Sequence, residues 1–215
     1  MDGADAQLLI GAAAAHGIVL DPMAIERLGR FLDLLTIWNR RIRLTGDLEP
    51  QVLLRKHVVD CLAPVALLPR AGLVVDIGAG GGFPGLVLGC IRPDLDLLLV
   101  EPRRRPRSFL AEAIRAIPLP KARALEVRAE DLVAEPEVTA KTAVAISRAL
   151  RMEVFLPLAA PILAPDGIAI SMQTPAMSER RASDTGARVG LVLRDHLDYT
   201  LPDGEQRRLI VFARS

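Results

Sequence analysis

The stretch Val74-Val75-Asp76-Ile77-Gly78-Ala79-Gly80-Gly81-Gly82-Phe83-Pro84-Gly85 carries five glycines within eight positions, directly after an apolar run. Glycines at a strand-to-helix turn allow positive φ and let a ligand approach main-chain atoms that a side chain would screen. A merely tight turn would need only one or two of them, so the loop reads as a cradle for a nucleotide-type ligand. Gly80, Gly82 and Gly85 satisfy the dinucleotide spacing G-x-G-x-x-G, but that pattern should open at the strand end, and here it starts late. The register that does open there is Gly78-x-Gly80-x-Gly82, with Phe83 where the dinucleotide pattern wants its third glycine for close helix packing. Glycines at a helix start also bind phosphate, yet no Gly-Lys-Ser or Gly-Lys-Thr follows to reach the outer phosphates.

Other groups with chemical potential fall at the ends of later apolar runs, the edge where open α/β sheets bind ligands. Glu101 closes the run Leu95 to Val100 and lies 23 residues after Gly78, near the offset at which an acid meets ribose hydroxyls. Ala129-Glu130-Asp131 follows the third run, and Ser147-Arg148-Ala149 the fourth. Arg148 there either brings a cation to a substrate or caps the next helix. Lys56, His57 and Asp60 lie upstream within about one helical turn; on spacing alone His57 reads as a packing residue. The clusters Arg40-Arg41-x-Arg43 and Arg103-Arg104-Arg105-x-Arg107 suit phosphate contact, and equally a solvated face.

The elements that must position these groups divide the chain near residue 70. From Ala4 to Pro69 the pattern is helical, with Leu28, Phe31, Leu32, Leu35 and Trp38 at spacings of three and four. Asp47-Leu48-Glu49-Pro50 resembles a helix start for Val52 to Asp60. Beyond Leu73, apolar runs at Leu73 to Ile77, Leu95 to Val100, Ala122 to Val127, Thr142 to Ile146 and Gly167 to Met172 alternate with helical stretches. Those stretches are Pro84 to Ile91, Arg105 to Ile117 and Arg151 to Leu163. This predicts a parallel sheet with crossover helices, hence a helical extension over residues 1–70 and a Rossmann-like domain over 71–215. Ala187 to Arg194 and Arg207 to Arg214 predict an antiparallel strand pair at the end of the sheet. Gln173 to Gly186 is polar enough to predict a mobile surface segment.

Composition bounds the rest. A chain of 215 residues with 51% hydrophobic residues buries a core without help from disulfide or metal. Two cysteines, Cys61 and Cys90, form neither a disulfide framework nor a zinc cluster, and no metal is expected. The balance of 27 basic against 26 acidic residues excludes a general polycation, so nucleic-acid binding needs a local patch. Nearly all the positive charge is arginine, which suits phosphate and guanine and is also what a GC-biased genome produces. No apolar stretch approaches a membrane span, and the acidic start before Leu8 to Ala15 does not suit an export signal. A cytoplasmic monomer is expected.

The acid-apolar-Gly-x-Gly-x-Gly register from Asp76 resembles the first motif of class I methyltransferases, which bind S-adenosylmethionine on a Rossmann-like sheet. More specifically, the chain resembles the bacterial small-subunit ribosomal RNA guanine-N7 methyltransferases, the glucose-inhibited division protein B family. The residues that carry this are Leu34 to Thr45, Lys56-His57-Val58-Val59-Asp60, the loop Gly78 to Gly85 and Ile146-Ser147-Arg148-Ala149. The resemblance implies methylation of guanine N7 in 16S ribosomal RNA, with S-adenosylmethionine as donor and S-adenosylhomocysteine as product. It places cofactor contacts on Gly78, Phe83, Ala129, Glu130 and Arg148, to which the loop reading adds Asp76, Gly80, Gly82 and Glu101. His57 and Arg148 become candidate catalytic residues. Lys56, His57, Asp60, Arg40, Arg41, Arg103, Arg104 and Arg105 become candidates for RNA contact.

The chain departs from that family pattern at Arg43, where Asn is usual, and at Pro106, which interrupts the second basic cluster. Ser171-Met172-Gln173-Thr174-Pro175 also replaces a segment that commonly carries Lys-Gly. Competing chemistries fit less well. Exocyclic-amine methylation goes with Asp/Asn-Pro-Pro-aromatic where Ser147-Arg148-Ala149-Leu150 stands, and cytosine-C5 methylation needs a strand-end thiolate that neither cysteine offers. The remaining alternatives are a methyltransferase for another RNA or a small molecule, a binding-only regulator, and an NAD-binding oxidoreductase.

Overall fold

The computed structural model describes residues 1–214. Two helices open the chain, α1 (Gly3–Ala15) and α2 (Pro22–Ile42), each started by an aspartate, Asp2 or Asp21, that accepts a backbone N–H three residues on. Such a cap satisfies one donor that the first helical turn leaves unpaired, and Pro22 at the first position of α2 sacrifices nothing. α2 buries the stripe Leu28, Phe31, Leu32 and Leu35, and Trp38 packs on Phe109 with ring centroids 5.8 Å apart. A one-turn α3 (Pro50–Val52) runs into a π-helical turn, Leu53–Val58, and a 3-10 segment, Ala63–Leu67, leads to the sheet. The helix expected from Val52 to Asp60 therefore exists but is wound wider than an α-helix. Glu49, rather than Asp47, occupies its N-cap position.

Seven strands form one sheet: β1 (Leu73–Ile77), β2 (Asp96–Val100), β3 (Ala122–Leu125), β4 (Thr142–Ser147), β5 (Leu163–Gln173), β6 (Leu191–Thr200) and β7 (Gln206–Arg214). Their order is β3-β2-β1-β4-β5-β7-β6. The first five run parallel, and β7 is antiparallel to both β5 and β6, as the apolar runs predict. The crossovers carry α4 (Gly85–Ile91), α5 (Arg104–Ala116), a 3-10 segment at Ala129–Ala134 and α6 (Met152–Ala159). One sheet face is covered by α4 and α5, over which α1 and α2 add a further layer. The other face is covered by α6 and α7 (Glu179–Ala187). β1 is buried from Val74 onward because both faces are covered, which is why it reads as an apolar run broken only by Asp76.

Three expectations are corrected. The segment Gln173 to Gly186, expected as a mobile surface segment, carries α7 in its second half, capped by Ser178, whose hydroxyl accepts the Arg181 N–H. Its polarity is that of a helix with a narrow buried stripe, Ala182, Thr185 and Gly186, of small residues that a hydrophobicity pattern does not register. The strand expected from Ala187 consequently begins at Leu191 and continues to Thr200. The helix expected through Leu163 ends at Ala159, two residues before Pro161, which brings no N–H to continue the ladder, and β5 starts at Leu163.

Gly186 is where α7 meets the sheet. An added Cβ would lie 2.8 Å from the Leu191 carbonyl oxygen and 2.9 Å from the Phe212 ring. Gly186→Ala is expected to cost about 1–3 kcal/mol of stability by overpacking, read in chemical denaturation. Cofactor affinity should be unchanged, because α7 lies away from the glycine loop.

Candidate active site

The glycine loop leaves β1 at the carboxyl edge of the sheet and is tied to β2, with the Gly78 and Ala79 N–H groups donating to the Val100 carbonyl at 2.9 and 3.0 Å. Gly78, Gly80 and Gly82 have φ of +83°, +49° and +88°, the left-handed region that glycine alone enters freely. Asp76, wholly buried in β1, accepts the Gly85 N–H at 2.9 Å and so holds the first turn of α4. A Cβ at Gly85 would lie 2.2 Å from Leu99 Cδ2 and 2.7 Å from Asp76 Oδ2. Gly85 thus supplies the close helix-to-sheet packing that the dinucleotide pattern assigns to a different position. Asp76 and Gly82, expected among the cofactor contacts, line neither of the clefts described below; they shape the loop from beneath.

Two clefts meet at the loop and share Gly78, Arg103 and Leu150. The first, about 520 Å³, is walled by Gly78 to Gly81, Phe83, His57, Arg148 and the end of β5. The second, about 760 Å³, runs between the ends of β2 and β3 and places Val100, Val127, Val154 and Leu158 around an apolar slot edged by Ala129 and Glu130. An apolar slot with polar groups at one margin suits a purine nucleoside. Glu101, expected to face ribose, sits behind this opening at 2% exposure. Its carboxylate accepts the Gly80 N–H at 3.1 Å and the Arg103 Nε–H at 2.8 Å, and the exposed Arg103 side chain covers it.

Arg148 is held from below. Its Nε donates to Asp60 Oδ2 at 2.7 Å, and its guanidinium carbon stands 5.6 Å from the Phe83 ring centre. Asp60 is 1% exposed and also accepts the Tyr199 hydroxyl at 2.7 Å, with Arg207 Nε 3.8 Å away. Asp60, expected among the RNA contacts, is thus an anchor for Arg148 and Tyr199 in the wall of the first cleft. Arg148, for its part, is not a helix cap, since Arg151 holds that position before α6. Burial, with the Asp60 carboxylate adding to it, pushes the Tyr199 phenol well above its ordinary range, so it stays a neutral donor.

His57 lies between Phe83, at 5.1 Å between ring centres, and the loop after α2. Its Nε2 is 2.7 Å from Asp47 Oδ2. Burial, reinforced by the Arg148 charge and opposed by Asp47, holds its pKa below the ordinary value, so the ring is neutral at pH 7. A carboxylate only accepts, so Nε2 carries the proton and Nδ1 is left a buried, unpartnered acceptor. The same loop is stitched by Asn39, which donates to the Asp47 carbonyl and accepts the Thr45 N–H. This places Thr45 and Leu44 in the wall of the first cleft.

Lys56 faces away from the first cleft into an ion pair with Glu205 at 3.0 Å. Arg40, Arg41, Arg104 and Arg105 are exposed, take part in no ion pair among the described residues, and line neither cleft. Sequence reading missed Tyr199, Arg207 and Asp47. The Tyr199 to Asp60 contact spans 139 residues, and no local spacing announces it. The described residues hold no cluster of potential metal ligands and no helix long and apolar enough to cross a membrane. Both cysteines are free and buried.

The buried Asp76 carboxyl makes a pH prediction. Burial, with Glu101 adding to it, raises its pKa from 3.8 to about 7. The folded chain therefore holds this proton more tightly than the unfolded one. The resulting stability is full below pH 3.8 and is lost as pH rises through about 7. Urea denaturation between pH 4 and 8 is expected to show wild type losing stability relative to Asp76→Asn, with the difference levelling off above pH 7.

The family model described as rRNA small subunit methyltransferase G matches residues 24–188. Ribosomal RNA small subunit methyltransferase G of Geobacter sp. (strain M21) is 34% identical over 213 residues, covering 97% of both chains. The Anaeromyxobacter sp. (strain Fw109-5) protein of the same name is 34% identical over 94% of both. Among solved structures, geranyl diphosphate C-methyltransferase from Streptomyces coelicolor, crystallised with S-adenosyl-L-homocysteine, superposes with a TM-score of 0.61. It is 15% identical and covers 91% of this chain and 98% of its own. A TehB-like SAM-dependent methyltransferase from Corynebacterium glutamicum gives 0.54 at 19% identity, over 73% of this chain and 87% of its own. These two likenesses concern the fold. With 165 consecutive residues matched and relatives aligned nearly end to end, the chain belongs to the rRNA small subunit methyltransferase G family.

Proposed function

We propose that this chain transfers the methyl group of S-adenosylmethionine to N7 of a guanine in small-subunit ribosomal RNA. The observation that supports it most is the pair of clefts joined at Gly78, Arg103 and Leu150: an apolar slot for the nucleoside of the cofactor, opening into a second space beside Phe83 and Arg148. In this reading Gly78, Ala129 and Glu130 hold the nucleoside end, and Gly80 and Phe83 stand near the reacting end. Glu101 reaches the ribose once Arg103, 70% exposed, swings aside. The cofactor supplies an electrophilic methyl on a sulfonium.

Guanine N7 is a lone-pair acceptor without a proton in the neutral base, so its methylation needs no general base. What the site must supply is alignment, worth up to about 7–11 kcal/mol in well-oriented systems. Neutral His57 suits alignment by bracing Phe83, and the Asp60-anchored Arg148 by fixing a cation at the cleft wall. Arg148 is the candidate catalytic contact, and His57 is a positioning residue. Arg40, Arg41, Arg104 and Arg105, exposed and without an ion pair among the described residues, are the proposed phosphate contacts, and binding through them weakens with salt.

Labelled methyl transfer to small subunits from cells lacking this protein, followed by nucleoside analysis, tests the reading. Label in 7-methylguanosine is expected. Cofactor binding with no transfer to subunits or extracted RNA would overturn it.

A further inference from the structure

The first cleft contains a polar group that neither the glycine loop nor the Asp60 cluster uses. Gln173 closes β5 beside Met172 and Thr174 in the cleft wall. Its Nε2 lies 2.8 Å from Ser171 Oγ and 3.3 Å from the Leu150 carbonyl oxygen. A carbonyl oxygen only accepts, so Leu150 fixes the amide's orientation: the nitrogen faces the protein and both its hydrogens are engaged. Oε1, a pure acceptor, is left to the cleft. In the sheet order β5 stands two strands from β1, roughly 10 Å at the usual strand spacing. The glycine loop and this acceptor therefore line the same cleft of about 520 Å³, with the residues that follow β4 between them.

We propose that Gln173 is a specificity-determining residue whose Oε1 accepts a hydrogen bond from the Watson–Crick edge of the target guanine; this rests on the guanine-N7 reading above. N7 lies on the side of the purine away from N1 and the 2-amino group. A base that turns N7 toward a methyl held over the glycine loop turns N1–H and the 2-amino group toward β5. Both are donors in guanine, and a fixed acceptor selects for them. Adenine presents a lone pair at N1 and is repelled. Enzymes that work on an extruded base commonly read it by this edge.

The test offers reconstituted small subunits carrying guanosine, inosine or 2-aminopurine riboside at the methylated position to wild type and Gln173→Leu, reading kcat/KM from labelled methyl. Inosine lacks the 2-amino group, and 2-aminopurine lacks N1–H. Wild type is expected to lose about tenfold on at least one analogue. In Gln173→Leu the guanosine rate should fall about tenfold and that analogue's penalty should shrink to within about twofold. Absence of any penalty in wild type overturns the proposal. So does an equal fall on all three substrates, which is what a merely structural role in holding Leu150 would give. Failure of wild type to form 7-methylguanosine on the guanosine subunits overturns the functional reading itself, a separate result.

Discussion

The buried carboxylate of Asp60 is the constraint on which the arrangement of the site depends. Taking a carboxylate to 1% exposure costs several kcal/mol unless its oxygens are matched, and here Arg148 and Tyr199 each bond one oxygen at 2.7 Å. The partners come from separate elements. Asp60 follows the π-helical turn, Arg148 follows β4, and Tyr199 and Arg207 stand on β6 and β7. Moving the helical layer off the sheet would leave this charge unpaired, so the layer is locked in register with the carboxyl edge of β4. Lys56 paired with Glu205 at the β6–β7 turn adds a second, more exposed tie between the same elements. Arg148 is thereby delivered to the cleft at a defined place above Phe83.

The glycine loop is the complementary device. Asp60 fixes a side chain, whereas Asp76 fixes a backbone: its bond to the Gly85 N–H and the absence of a Cβ there bring α4 onto β1 and β2. The two acids divide the labour of placing a rigid cradle on one side of the cleft and a cation on the other. Asp76 lines neither cleft, and Asp60, 1% exposed, reaches only the wall of the first. That suits a methyl transfer governed by alignment, in which titrating groups serve as struts and not as proton carriers.

The parallel core was legible because its strands are covered on both faces, so that Leu73 to Ile77 and Leu95 to Val100 read as apolar runs each interrupted by a single aspartate, Asp76 or Asp96. The glycine loop was legible because backbone geometry leaves a direct trace in residue type. α7 was not, because its buried stripe consists of Ala182, Thr185 and Gly186. Within the site, the types of Arg148 and Asp60 drew attention, but their mutual bond did not, for it joins positions 88 residues apart. Glu101 was expected from its offset after the loop, yet its cover by Arg103 follows from side-chain geometry that spacing does not encode. Gln173 drew attention only as a departure; the orientation of its amide is set by Leu150, 23 residues before it.

The most direct test of the central role of Asp60 is a double-mutant cycle on S-adenosylmethionine affinity, measured by titration calorimetry for wild type, Asp60→Asn, Arg148→Gln and the double variant. If Asp60 acts on the cleft through Arg148, Asp60→Asn weakens binding in wild type. In the Arg148→Gln background it then changes Kd by less than about twofold, a strongly non-additive pair. Equal weakening in both backgrounds would contradict that role and make Asp60 a structural carboxylate with no particular hold on the cofactor cleft.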